Sequence, residues 1–140
     1  MIKTAILYAL AGMLLSALWL VQVALPLPGV FGGLLRSIQP TALHLIMIGW
    51  LTPLIFGVAI WMFPPWSKAR PRGPEALNWS CYGLLNAGLL LRLIAEPLNS
   101  FRPAPILAFV LVMSAVLQVG AIWLFVALVW ARVRGKAQSK

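Results

Sequence analysis

Four apolar stretches, each long enough to cross a bilayer and each bounded by proline, govern what this chain can fold into. The first runs roughly from Thr4 to Leu25 and ends at Pro26 and Pro28. The second covers Thr41 to Phe63, between Pro40 and the Pro64–Pro65 pair. The third extends from about Ala76 to Glu96, where Pro97 is expected to stop it. The fourth follows Pro103 and Pro105 and ends near Ala131. A membrane helix needs ~20 residues to cross the hydrocarbon. Proline sets such boundaries because it has no N–H to donate and disfavours helical geometry in the residue before it.

The spans (4–25, 41–63, 76–96 and 105–131) leave only short connections. The expected fold is therefore all-α: a single domain over residues 1–140, an integral membrane four-helix bundle running up and down. Lys3 before the first span invites reading it as a signal peptide. Its apolar run exceeds the ~7–15 residues of such a segment, and no Ala-x-Ala cleavage pattern follows. The connection at 64–75, rich in proline and charge, is expected to be a surface loop. Within 27–40, the stretch VFGGLLRSI is expected to form a short amphipathic turn at the membrane interface.

Composition agrees. Hydrophobic residues make up 62% of the chain and charged residues 9%, against about 25% charged in soluble domains. The net charge of +9 does not imply nucleic acid, because the basic residues sit at span ends. Lys3, Lys68, Arg70, Arg72, Arg132, Arg134, Lys136 and Lys140 fall on one side; Arg36 and Arg102 fall on the other. That bias predicts a cell (inner) membrane protein with both termini cytoplasmic. Trp66 and Trp130 suit the aromatic belt on the same side. The single cysteine, Cys81, excludes an intrachain disulfide and a cysteine-cluster zinc site.

Ionisable residues inside spans are the natural candidates for function. There are three: His44, Arg92 and Glu96. With the second span entering and the third leaving at the outer face, all three are expected near that boundary. On the third span Asn78, Cys81, Gly88, Arg92 and Glu96 share a stripe expected to face the bundle. Gly88 there makes room for a flat ligand or for a close helix neighbour. Asn86, off the stripe, is free to bond another helix. Arg92 and Glu96 also read as an i,i+4 ion pair reaching toward the headgroups. Their order, and an acid at a helix C-terminus, are unfavourable for helix stability. His44 has Met47 at i+3, with Leu51, Ile55 and Val58 continuing an apolar wall that suits a haem edge. Pro53 should kink the second span by removing the bond to the Gly49 carbonyl. Gly49 and Gly57 read as packing positions.

The segment LHLIMIGWLTPLIFGVAIWMFP, Leu43 to Pro64, resembles the second transmembrane helix of haem–copper oxidase subunit I, closest to the nitric-oxide-reductase-like and cbb3-like branch. The pattern is His44-Leu45, Gly49-Trp50, Phe56-Gly57 and Trp61-Met62-Phe63-Pro64, and Asn86, Arg92 and Pro97 extend it weakly. The resemblance implies that His44 is an axial ligand of a low-spin haem b, and that the chain serves electron transfer or redox sensing. Arg92 would then pair with the haem propionates. Many relatives carry a second histidine where this chain has Ala42. The chain has one histidine in all, so it cannot build the dinuclear oxygen- or nitric-oxide-reducing site by itself. A sixth iron ligand could come from His44 of a second copy in a homodimer, or from Met113; otherwise the position stays open. The competing readings are a cofactor-free accessory subunit of a larger membrane complex, with His44 used as a helix–helix hydrogen bond, and a Cu(I) site at His44 and Met47. Transport has little basis in four helices without inverted repeats.

Overall fold

A computed structural model describes residues 2–63, 65–66 and 73–134. Among them every regular element is helical: α1 (Ile2–Ala24), α2 (Gly29–Ser37), α3 (Gln39–His44), a π-helical segment (Leu45–Leu51), α4 (Thr52–Met62), α5 (Glu75–Phe101) and α6 (Pro105–Arg134). Four stretches are long and apolar enough to cross a membrane. The expected loop charges Lys68, Arg70 and Arg72, and Lys136 and Lys140 at the C-terminus, lie outside the described residues.

Side-chain contacts fix the directions of the spans. A Cβ on Gly12 would meet Ile46, and one on Gly49 would meet Tyr8, so α1 runs antiparallel to the second span. Thr41 reaches Glu96 and His44 reaches Arg92, so the second span runs antiparallel to α5. Cys81 donates to the Ala121 carbonyl, while Ser114 donates to the Gly88 carbonyl, so α5 and α6 are antiparallel as well. The core is small and lies between these helices. Phe56, Cys81, Leu85 and Ala121 form its centre, and the Phe56 and Phe125 rings stack at 3.7 Å.

Polar ties cross the apolar body where their groups can be mutually satisfied. Tyr8 donates to Asn86 Oδ1 and Tyr82 to Thr4 Oγ1, both at 2.8 Å. Asn86 thus bonds to another helix, in keeping with its place off the stripe. At the far end of the second span, the buried Arg132 donates from Nη2 to the carbonyls of Ile60 and Phe63, at 3.0 and 2.9 Å. These are among the last carbonyls of a helix, which find no partner within it. A residue counted as a topological charge therefore also clamps α6 to the end of α4.

Several expectations are corrected. The third span does not stop at Pro97; α5 continues to Phe101. The proline removes one donor, that facing the Leu93 carbonyl, and later residues resume the ladder, with the Arg102 N–H reaching the Leu98 carbonyl at 2.7 Å. Glu96 therefore lies more than a turn inside the helix and does not oppose the dipole at its end. The stretch expected as an interfacial turn is a nine-residue helix, α2. Its entry is locked by Gln22, which bonds the backbone of Leu27 through both amide atoms. Gly57 is not a packing position, because a Cβ there would meet nothing within 4 Å.

Pro53 acts on the helix before it. The π-helical segment brings the Thr52 N–H to the carbonyl of Met47, five residues back. The Thr52 hydroxyl adds a second bond to the same oxygen at 2.8 Å. Pro53 cannot donate, so uniform α winding would strand the Gly49 carbonyl. Widened turns of this kind occur where an α ladder is interrupted, often beside functional positions.

Candidate functional site

α3 opens with Pro40 in its first turn, where a missing N–H is harmless. Thr41 follows directly and His44 one turn on, and both reach α5. His44 is held from two sides. Its Nδ1 lies 2.8 Å from the Pro40 carbonyl, and its Nε2 lies 2.9 Å from Arg92 Nη1. These partners assign the tautomer. A carbonyl only accepts, so Nδ1 carries the proton; a guanidinium only donates, so Nε2 presents its lone pair.

Glu96 completes the group. Its Oε2 accepts from Thr41 Oγ1 at 3.1 Å and lies 3.4 Å from His44 Nδ1. Its Oε1 is 3.4 Å from Arg92 Nη1. The i,i+4 pair exists, but its contact is longer than the bond from Arg92 to His44, which is the best-formed link between the two helices here. From α6, Ser114 takes part. It accepts from Arg92 Nε at 3.4 Å, donates to the Gly88 carbonyl at 2.7 Å, and receives Gln118 Nε2 at 3.3 Å.

The structure thus brings together His44, Arg92 and Glu96, the three ionisable residues singled out from the sequence. Their side chains are 31%, 17% and 12% exposed, so the cluster is largely covered and His44 is its most accessible member. Gly88 lies one turn further into the span, where α5 and α6 approach closely. A Cβ there would stand 2.9 Å from the Ser114 carbonyl oxygen and from Gln118 Cγ. Of its two readings, close helix approach is the one this geometry describes. Met47 is not in the cluster; it is 53% exposed, as are Leu51, Ile55 and Val58 to a similar degree. Met113 is exposed on α6.

Three members were not identified from sequence: Thr41, Ser114 and Gln118. Thr41 stands three residues before His44, one turn away on the same face, a spacing that could have flagged it. Ser114 and Gln118 form an i,i+4 polar pair within an otherwise apolar span. Both are buried, and polar residues in membrane spans turn toward other helices.

The fit of this group to haem can be judged from its atoms. The bond from Nδ1 to the Pro40 carbonyl is the kind that orients a metal-ligating imidazole, leaving Nε2 to face the metal. Here Nε2 faces a cation instead. One lone pair cannot serve both Arg92 and iron, so the arrangement as built does not fit the group. Among the described residues, no three or more His, Cys, Asp or Glu side chains gather as a metal-holding cluster. Chemically, the arrangement is a closed hydrogen-bonded clasp joining α3, α5 and α6. Comparison with known protein families, with curated proteins and with solved structures finds no match for this chain.

Proposed function

We propose that this chain is a cofactor-free component of a larger membrane assembly, with the His44–Arg92–Glu96 group as the clasp that sets its shape. The observation that carries this reading is the commitment of both His44 nitrogens to partners within the chain. A histidine reserved for a cofactor would keep Nε2 available. A second feature favours assembly. Gly57, Gly83 and Gly120 lie within spans, yet a Cβ on any of them would meet nothing within 4 Å. Small residues on span surfaces allow close approach of further helices.

The optical spectrum of the purified protein tests the proposal. The expected result is no Soret band, oxidised or dithionite-reduced, and migration on native gels as a species larger than one 15.3 kDa chain and its detergent. A Soret band that disappears in His44→Ala would replace this reading with the haem b electron-transfer one.

The proposal places the chain in the cell membrane with both termini cytoplasmic. Eight of ten Lys and Arg at the span ends support that orientation. It puts the clasp at the outer boundary. A reporter fused after Lys140 should be active in a cytoplasmic assay; an exported signal there would invert the clasp to the inner boundary.

A further inference from the structure

His44 has the second-atom support of a ligand and lacks only an open lone pair. We infer that Arg92 is an internal occupant of the metal-binding nitrogen of His44, an autoinhibitory contact that closes the imidazole to external metal centres. The inference rests on the cofactor-free reading above. Three observations carry it.

The first is orientation. Pro40 fixes the ring through Nδ1 at 2.8 Å, so Nε2 is a preorganised acceptor. The second is occupancy. Arg92 Nη1 stands 2.9 Å from Nε2 and 3.4 Å from Glu96 Oε1. A positive nitrogen therefore sits between an imidazole and a carboxylate, where a Lewis acid would otherwise be attracted. The third is how Arg92 is held there. Its Nε is anchored on Ser114, which is fully buried and itself bonded to the Gly88 carbonyl. The guanidinium is therefore fixed to α6 as well as to its own helix. Among the described residues, the charged groups within bonding distance of His44 are Arg92 and Glu96.

The exchange is simple in its chemistry. The Nε2 lone pair leaves one N–H of Arg92 and forms one coordinate bond to a metal, with no change of oxidation state and no proton lost from the imidazole. Closing a site with one charge-assisted hydrogen bond should weaken coordination about tenfold to a hundredfold, since the closed fraction divides the apparent affinity.

Ferric haem is a suitable probe because imidazole ligation moves its Soret band. Titrated into the purified protein, it should bind Arg92→Leu about tenfold or more tighter than wild type. That gain should vanish in Arg92→Leu combined with His44→Ala. Equal binding by wild type and Arg92→Leu, or equal binding by the single and double variants, would overturn the inference. Wild type supplies a test independent of any variant's folding. His44 is the one histidine of the chain, so its ring nitrogens are assigned in a 15N spectrum without ambiguity. The expected form has the proton on Nδ1 and a through-bond coupling between Nε2 and an arginine N–H. A proton on Nε2 would overturn the inference, while the cofactor-free reading is tested separately by the Soret band of the protein as purified. Haem already bound to wild type as purified would instead remove that reading.

Discussion

Gly88→Leu should destroy the packing of α5 against α6 and cause a large loss of stability. The added Cβ alone would stand 2.9 Å from the Ser114 carbonyl oxygen, which is backbone, and from Gln118 Cγ. The rest of the leucine side chain has nowhere to go unless the helices separate. Overpacking of a tight core costs about 1–3 kcal/mol and sometimes more. Here separation would also break the Ser114–Gly88 bond and the Ser114 anchor of Arg92, so a loss of about 3 kcal/mol or more is expected. Gly83→Leu is the internal control. It lies on the same helix, and its Cβ would meet nothing within 4 Å, so the isolated chain should tolerate it within about 1 kcal/mol. Unfolding of both variants in detergent measures the contrast. Equal stability of the two would show that α5 and α6 do not approach as described.

Arg92→Leu should be the next most disruptive change, and its effect should depend on His44. Removing the guanidinium leaves Glu96 without its cation and His44 Nε2 without its donor in a largely buried place. Breaking a buried charged pair costs about 3–5 kcal/mol; the partial exposure of this one lowers the expectation to about 2–3 kcal/mol. His44→Ala should cost about 1–2 kcal/mol. The double variant should be less destabilised than the sum, with a coupling of about 1 kcal/mol, because both changes remove the same 2.9 Å bond. Strict additivity in a double-mutant cycle would mean that this bond contributes nothing and that the arginine pairs only with Glu96. Arg92→Lys should recover part of the loss, since one ammonium keeps the charge but cannot span Ser114, His44 and Glu96 together.

The spans are legible in the sequence because apolar length and proline each have a direct physical meaning there. The meeting of His44 with Arg92 and Glu96 is legible from chain direction alone: the second span begins where the third one ends. The rest depends on the rotation of each helix about its own axis. Ser114 and Gln118 are the polar pair of an otherwise apolar span, so the pattern turns them toward some other helix without saying that it is Arg92 they meet. Arg132 has two carbonyls as partners, and a carbonyl has no sequence signature. Pro97 misleads for a related reason. Proline removes one donor, but whether the ladder resumes depends on the residues after it, and α5 does resume to Phe101. The role of His44 is hidden most deeply. The same residue serves as a ligand or as a clasp depending on whether one guanidinium reaches it, and that is set by how closely two helices sit.

The widened turns between Leu45 and Leu51 make the aim of His44 depend on how the second span winds. A π-helical stretch holds more residues per turn than an α-helix, so it behaves like an α-helix into which a residue has been inserted. Removing one residue between 45 and 51 would let the span wind evenly with little change in how its two ends face, whereas rewinding all seven residues as α-helix would turn everything before the segment by about 100° relative to everything after it. With Phe56 held by its stack on Phe125, that turn would fall on His44 and Thr41 and swing them off α5. A chain of the same length that wound this stretch as α-helix would keep its membrane span, its hydropathy and its histidine, and would lose the clasp. For this chain, the widened winding between His44 and Phe56 is as much a part of the site as the identity of His44 itself.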